Sequence, residues 1–583
     1  MTDDPTPTTP AVADAGPSRT RWILALGVAG VAVAVGIAAF MLLGASPTPE
    51  ALRYIPGDAA VVAELRMDLP GDQLQKTGNL LAHFPGFKDQ STLDAKLDES
   101  ISRFVSTASS GSVDYRRDLK PWLNGPLFVG VAPAALDGTE PESRAMVISA
   151  TTNGAADCAA ALKNAQLSHE SYRGLDIVTG SGGEMGGLAC VIDGRQAILG
   201  EPARVKAALD AKANGSGMDH NDKYRAARAA LGGDRLLTVF AAGDALRGAM
   251  PLPSLGTVTP GLGALEGLAG LAGNVPDWTM VGVRAEDDAL VVDTVAAPSK
   301  ATGSAGGASS TQPLLELPPS HPSVVTSMLP ANTVLYVEDQ GTGVSLQNLL
   351  IRLRSMPELG SALGMLDGLG GAEGLVGWVD DAGVAVIADG STVSGGVLLV
   401  AKDEAAARER LSTITSVISL LGLQGSGIEL RETTVNGVGV TTVTIPDIGA
   451  IIPPGTLPDG VTAPTTGPLE FSMAAKGRVL LLGVGEGFMT GVLNAQAGAS
   501  LADQAGFKHA LERGLGGSRT TVFVGVPAAI GLVEGFVPAT DLAMWQSDIR
   551  PYVEPIEAVS ITSLSDASTT RSRIVFTVTK AQP

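Results

Sequence analysis

Few places in the 583-residue chain space reactive side chains for chemistry. The sharpest is Gly483-Val484-Gly485-Glu486-Gly487, between the apolar runs Val479–Leu482 and Phe488–Asn494. A glycine-rich turn from strand to helix can present bare backbone N–H groups to a phosphate. Its earlier counterpart, Gly200-Glu201-Pro202-Ala203, keeps one glycine. The strand before the run is expected in a hairpin, whereas a dinucleotide site needs a parallel βαβ unit. A plain turn is therefore the expectation. Asp219-His220-Asn221-Asp222 is the densest ligand-like cluster, but a metal needs three or more converging donors. The matching Ala502-Asp503-Gln504-Ala505 keeps only a polar residue ahead of a helix, which is the role of an N-cap.

Other reactive patterns are incomplete. His169-Glu170 opens like a zinc-protease helix, yet Arg173 stands where the second histidine would be. There is no Gly-x-Ser-x-Gly elbow, and no lysine follows a serine by three residues. The five histidines (83, 169, 220, 321 and 509) are scattered and read as solvated or capping. Glu286-Asp287-Asp288 and Asp380-Asp381 read as solvated turn carboxylates, not as an acid–base pair. No catalytic, cofactor-binding or metal residue is expected, and an enzyme, such as a hydrolase, ranks last among the readings. Cys158 and Cys190 are the only cysteines. They are expected either as a disulfide outside the membrane or as two buried thiols.

The elements that would hold such groups begin at the N-terminus. Residues 1–18 are rich in Thr, Pro, Ala and Asp, which predicts a disordered cytoplasmic tail. Residues 19–45 read as a transmembrane signal-anchor. Its uncharged run from Trp22 to Leu43 is 22 residues long. At about 1.5 Å per residue it spans a hydrocarbon core of roughly 30 Å. Arg19 and Arg21 favour the cytoplasmic side, and Trp22 suits the headgroup boundary. Gly30 and Gly36 fall inside the span, and Ala32 and Gly36 have a spacing that permits close helix pairing. The run is too long for a cleaved signal peptide, whose apolar region covers about 7–15 residues. The expected address is thus a single-pass cell-membrane protein with an extracytoplasmic C-terminal part. The charge balance of 40 Lys+Arg against 60 Asp+Glu argues against nucleic acid as a partner.

Four segment pairs recur in order. Ala51–Glu64 resembles Val325–Glu338, and Pro121–Pro133 resembles Gly377–Ala388. Leu188–Gly200 resembles Phe471–Gly483, and Tyr224–Phe240 resembles Phe507–Phe523. These pairs predict a tandem duplication, with copy one at 50–300, a linker at 301–320 and copy two at 321–581. Each copy mixes strand and helix periodicity, including a helix over Ala155–Leu167 and a hairpin turning at Asp193-Gly194. Adjacent hairpins imply antiparallel pairing. The expected class is α+β, each copy an antiparallel sheet with helices packed on one face. Pro251–Gly273 and Ile445–Pro464 are apolar, Gly- and Pro-rich connections, expected to fold over the sheet or to meet a partner or lipid.

Leu52–Asp58 (LRYIPGD), Gly71-Asp72-Gln73, Phe84-Pro85-Gly86-Phe87, Thr92-Leu93-Asp94 and Leu97-Asp98-Glu99 carry a resemblance over most of the ectodomain. The chain resembles an uncharacterised family of bacterial, mainly actinobacterial, single-pass membrane proteins, domain of unknown function 3352. The resemblance implies a membrane-anchored envelope protein and supplies no reaction, substrate or cofactor. The expected function is non-enzymatic binding or assembly in the envelope, with an envelope protein as partner. The alternative is a carrier or sensor of an apolar ligand such as a lipid.

Overall fold

Short runs of β-branched and aromatic residues, with alternate side chains buried, form twenty strands among the described residues. The computed structural model describes residues 49–579 apart from 67–71, 90–94, 96–97, 100–101, 104–114, 137–144, 155–156, 163–165, 182–186, 244–275, 298–314, 355–370, 391, 423–426, 447–467, 486 and 567. The tail, the apolar run with Trp22, Gly30, Gly36 and Leu43, all of 251–273, and most of 301–320 and 445–464 lie outside the described residues. Among the described residues no helix is long and apolar enough to cross a membrane.

In the first half the strands are β1 (Val61–Arg66), β2 (Leu123–Val131), β3 (Met146–Thr152), β4 (Gln166–Tyr172), β5 (Leu175–Ser181), β6 (Ala189–Asp193), β7 (Gln196–Gly200), β8 (Leu237–Ala242), β9 (Trp278–Glu286) and β10 (Ala289–Ala296). In the second they are β11 (Thr333–Asp339), β12 (Val379–Asp389), β13 (Thr392–Ala401), β14 (Glu429–Val435), β15 (Val438–Ile445), β16 (Leu469–Lys476), β17 (Val479–Val484), β18 (Thr520–Gly525), β19 (Ile556–Ser565) and β20 (Thr570–Val578). Every pairing is antiparallel. From one edge the order is β4-β5-β6-β7-β3-β2-β1-β8-β9-β10, continuing β20-β19-β18-β11-β12-β13-β17-β16-β15-β14. Counted inward from its own edge, the second half follows the same order as the first. The halves meet where β10 pairs with β20, from Ala289 opposite Thr577 to Ala296 opposite Thr570.

Six helices matter below: α1 (Gln73–Leu81), α2 (Cys158–Ala161), α3 (Pro202–Asn214), α4 (Asp222–Leu231), α5 (Phe488–Asn494) and α6 (Ala505–Glu512). Helices α3 and α4 cover the first core, with Tyr224 edge-on to Phe240 at 5.4 Å. Helices α5 and α6 cover the second, where Phe507 stands edge-on to Phe523 at 5.0 Å. Pro202 starts α3, and Gly215 ends it at φ 63°.

Two expectations need correction. Helices pack on both faces, not one. Val62, Phe240 and Met280 join the first core, whereas Leu65, Leu237 and Val283, of opposite strand parity, pack against Leu80 and Leu81 of α1. Helix α2 likewise lies on the face away from α3: its Cys158 packs with Cys190 and Leu199, while Val191 and Ile198 point to the core. The second correction concerns Ala155–Leu167, where among the described residues Cys158–Ala161 is helical and Gln166 and Leu167 already belong to strand β4. Ladder pairing with β5 around the left-handed Arg173-Gly174 turn outweighs the alanine-rich helix propensity. Cys158 and Cys190 are joined by a disulfide, with Cα atoms 5.4 Å apart, and it pins α2 to β6.

Candidate functional site

Strand parity builds an apolar groove on the second half of the sheet. Ala385, Leu398 and Leu481 point into the second core, which turns Val384 of β12, Val397 of β13 and Leu482 of β17 to the opposite face. Val384 lies opposite Val397, and Val397 opposite Leu482, so the three side chains form a row across the strands. With Val386, Val393, Phe471 and Val484 they line an open groove of about 510 Å³. That volume is within the range of ligand sites, about 300–1,000 Å³. Among the described residues no charged side chain lines it, and Ser394 supplies the only side-chain hydroxyl. Val484 is 51% exposed and Val384 43%, an unusual state for two valines lining one groove.

The glycines beside the groove answer to packing. A Cβ on Gly396 or Gly483 would lie 2.3 or 2.4 Å from the ring of Phe488, which seats on them from the core side. Gly485 and Gly487, at φ 88° and 99°, turn the chain from β17 into α5. β17 pairs antiparallel with both β13 and β16, and α5 has only seven residues. Gly483 at the end of β17 thus seats an aromatic ring, and Gly485 and Gly487 serve the turn that follows.

At the same places in the first half stand Val129, Val131, Ile148, Leu199 and, for Val484, Glu201, all half-buried. There Leu199 and Leu188 pack against the cluster of Cys158, Leu162, Val178 and Cys190. Among the described residues Leu199 is thus packed over in the first half, whereas the groove of the second half is open.

The remaining candidates resolve differently. Asn221 accepts from the Tyr224 N–H at 2.9 Å, capping α4, and donates to the Gly57 carbonyl at 2.7 Å. Asp219 sits 3.7 Å from Arg53 and 3.0 Å from His220. Among the described residues no group of three or more His, Cys, Asp or Glu could hold a metal ion. His169 meets Asp176 at 2.8 Å on exposed strands, and His83 lies by the junction of the halves with Lys88 and Glu554.

Three readings of polar residues are overturned. His509 is buried, not solvated, and bridges Asp288 and Glu557 at 3.0 Å each. Glu286 and Asp288 are not free turn carboxylates: both bind Arg513 of the second half. Asp381 is buried, accepts from the Gly341 N–H at 3.0 Å, and lies 3.3 Å from Nε2 of the partly exposed His321. The tertiary partners are distant in sequence, so a local reading of turns and lone histidines could not find them. Near Asp381, Glu338 accepts from the Ser323 hydroxyl at 2.8 Å. Burial pushes its carboxyl above the ordinary range, and the Asp381 charge adds to the effect.

Comparison with known proteins gives a family and two distant structures. The family described as "Protein of unknown function (DUF3352)" matches residues 22–578. None of the curated proteins matches the chain. Crystal form I of TP0453 aligns at 6% identity over 44% of this chain and 81% of that one, with a TM-score of 0.23. Crystal form III aligns at 7% identity, covering 44% and 83%, with a TM-score of 0.21.

Proposed function

The chain belongs to the DUF3352 family of unknown function, and from that premise we propose that it is a membrane-anchored, extracytoplasmic envelope protein that binds and does not catalyse. The groove carries this reading, because it combines solvent-open valines with a lining that has no nucleophile–base pair and no charge. The Trp22–Leu43 run supports a single-span anchor with the N-terminus inside, and the Cys158–Cys190 disulfide suits an oxidising compartment. The shared strand order of the halves supports a tandem duplication, with copies at 50–300 and 321–581 joined by 301–320. The groove is open to solvent, which favours contact with an envelope protein. The uncharged lining supports a second reading, a carrier or sensor of a lipid chain.

A photo-crosslinking amino acid placed at Val393 of the full chain in cells separates the two. A discrete protein adduct lost on Val484→Glu supports assembly, and a lipid adduct lost in the same way supports the carrier. Neither adduct would sink both. Protease added to intact cells should digest the C-terminal part, and its protection would overturn the topology.

A further inference from the structure

We propose that His509 is a proton-operated clasp between the two halves of the sheet. Its imidazole, 6% exposed, lies on α6 of the second half. Nδ1 is 3.0 Å from Glu557 Oε2 on β19, and Nε2 is 3.0 Å from Asp288 Oδ2 in the β9–β10 turn of the first half. An ionised carboxylate only accepts, so both contacts require an N–H, and the neutral ring carries one. The bridge is therefore complete only in the imidazolium form. Removing the proton breaks one hydrogen bond and sets a nitrogen lone pair against a part-buried carboxylate.

The surrounding charges fit that state. Just beyond α6, Arg513 binds Glu286 and, at 2.7 Å, Asp288. On β9, Arg284 binds Glu286 at 3.0 Å and also Asp293. On β20, Arg573 binds Asp293 at 2.7 Å and donates to the Arg513 carbonyl at 3.2 Å. Asp287 turns away to Asn79 of α1 at 3.0 Å, and Lys508 and Glu512 of α6 are exposed. Arg284 and Arg513 thus serve Glu286 and Asp288, and the imidazolium is the cation at Glu557. The β10–β20 ladder does not depend on this proton. What deprotonation releases is the β9–β10 turn from α6, which makes the junction tight in acid and looser in base.

Hydrogen–deuterium exchange of the purified full-length chain in micelles, measured over a pH series and corrected for intrinsic rates, tests the clasp. Opening of peptides covering 285–289 and 505–513 should rise with pH by up to about tenfold per unit, the slope of one proton. His509→Gln should be open at every pH, with no step. Identical profiles for the wild type and H509Q would overturn the proposal. Should H509Q fail to fold, Asp288→Asn serves, because an amide can pair with the neutral ring. D288N should flatten the step, and a wild-type step in D288N would equally overturn the clasp. Arg513→Gln should raise exchange at all pH values and leave the slope unchanged; loss of the slope in R513Q would assign the effect to the arginine.

Discussion

Glu64 and Glu338 occupy the same place in the two halves. Each lies on the strand, β1 or β11, that pairs with the third-last strand of its half, opposite Thr238 or Thr521. Each is almost wholly buried. Glu64 has cationic company: Arg228 of α4 binds it, Thr238 donates at 2.9 Å, and Arg66 stands 3.8 Å away. Among the described residues no arginine pairs with Glu338 in the same way. Leu511 holds Arg228's place on α6, and the carboxyl instead meets Ser323, with Asp381 and His321 nearby. One architecture thus carries a buried ion pair in the first half and a buried carboxyl cluster in the second. Burying a carboxylate is tolerated when a cation or a proton accompanies it, and the halves use different companions.

The largest test converts the first half to the second. Arg228→Leu should leave Glu64 without its main partner and destabilise the fold by about 4–5 kcal/mol, read from denaturant midpoints. No loss would mean that Arg66 alone suffices. Next comes the disulfide, which the second half lacks. Replacing Cys158 and Cys190 by alanine should cost about 3–4 kcal/mol in the loop-entropy model, for a sequence separation of 32. Alkylation without reductant, followed by mass measurement, should find no free thiol in the wild type.

Glu338→Gln is a smaller and opposite effect. The folded form holds the Glu338 proton more tightly than the unfolded chain does. Its stabilising contribution is therefore present in acid and lost as pH rises through the raised folded-state value. The amide lacks that loss, so E338Q should gain about 1 kcal/mol over the wild type at neutral pH, and the gain should shrink in acid. Thermal midpoints over a pH series measure this, and a constant difference would remove the titration from the comparison. The smallest effect on stability, within about 0.5 kcal/mol, is expected for Val484→Glu, which gives the groove the first half's Glu201. A large loss would show that the open valine is structural.

Several elements were legible because their signals are local. The β6–β7 hairpin followed from the aspartate–glycine pair, although the turn itself falls on Gly194-Arg195. The β4–β5 hairpin was missed. Its Arg173-Gly174 turn hides the usual signature, whereas Asn436-Gly437 makes the same turn plainly between β14 and β15, at φ 49° and 78°. The groove was invisible for another reason. Val384, Val397 and Leu482 read as ordinary strand residues, and whether their face is open depends on helices far away in the chain. His509 had no local signal at all, since Asp288 is 221 residues away.

The joint between the halves has a consequence for self-recognition. Asp293 lies opposite Gly282 in the β9–β10 hairpin, and Arg573 opposite Thr562 in the β19–β20 hairpin. These are the same place in each half, and across the joint the two residues face each other as an ion pair. Two β10 strands meeting in that register would set aspartate against aspartate, and two β20 strands arginine against arginine. Like charges directly opposed disfavour such pairs. The first half is thereby matched to the second and discouraged from exchanging with the same half of a neighbouring molecule.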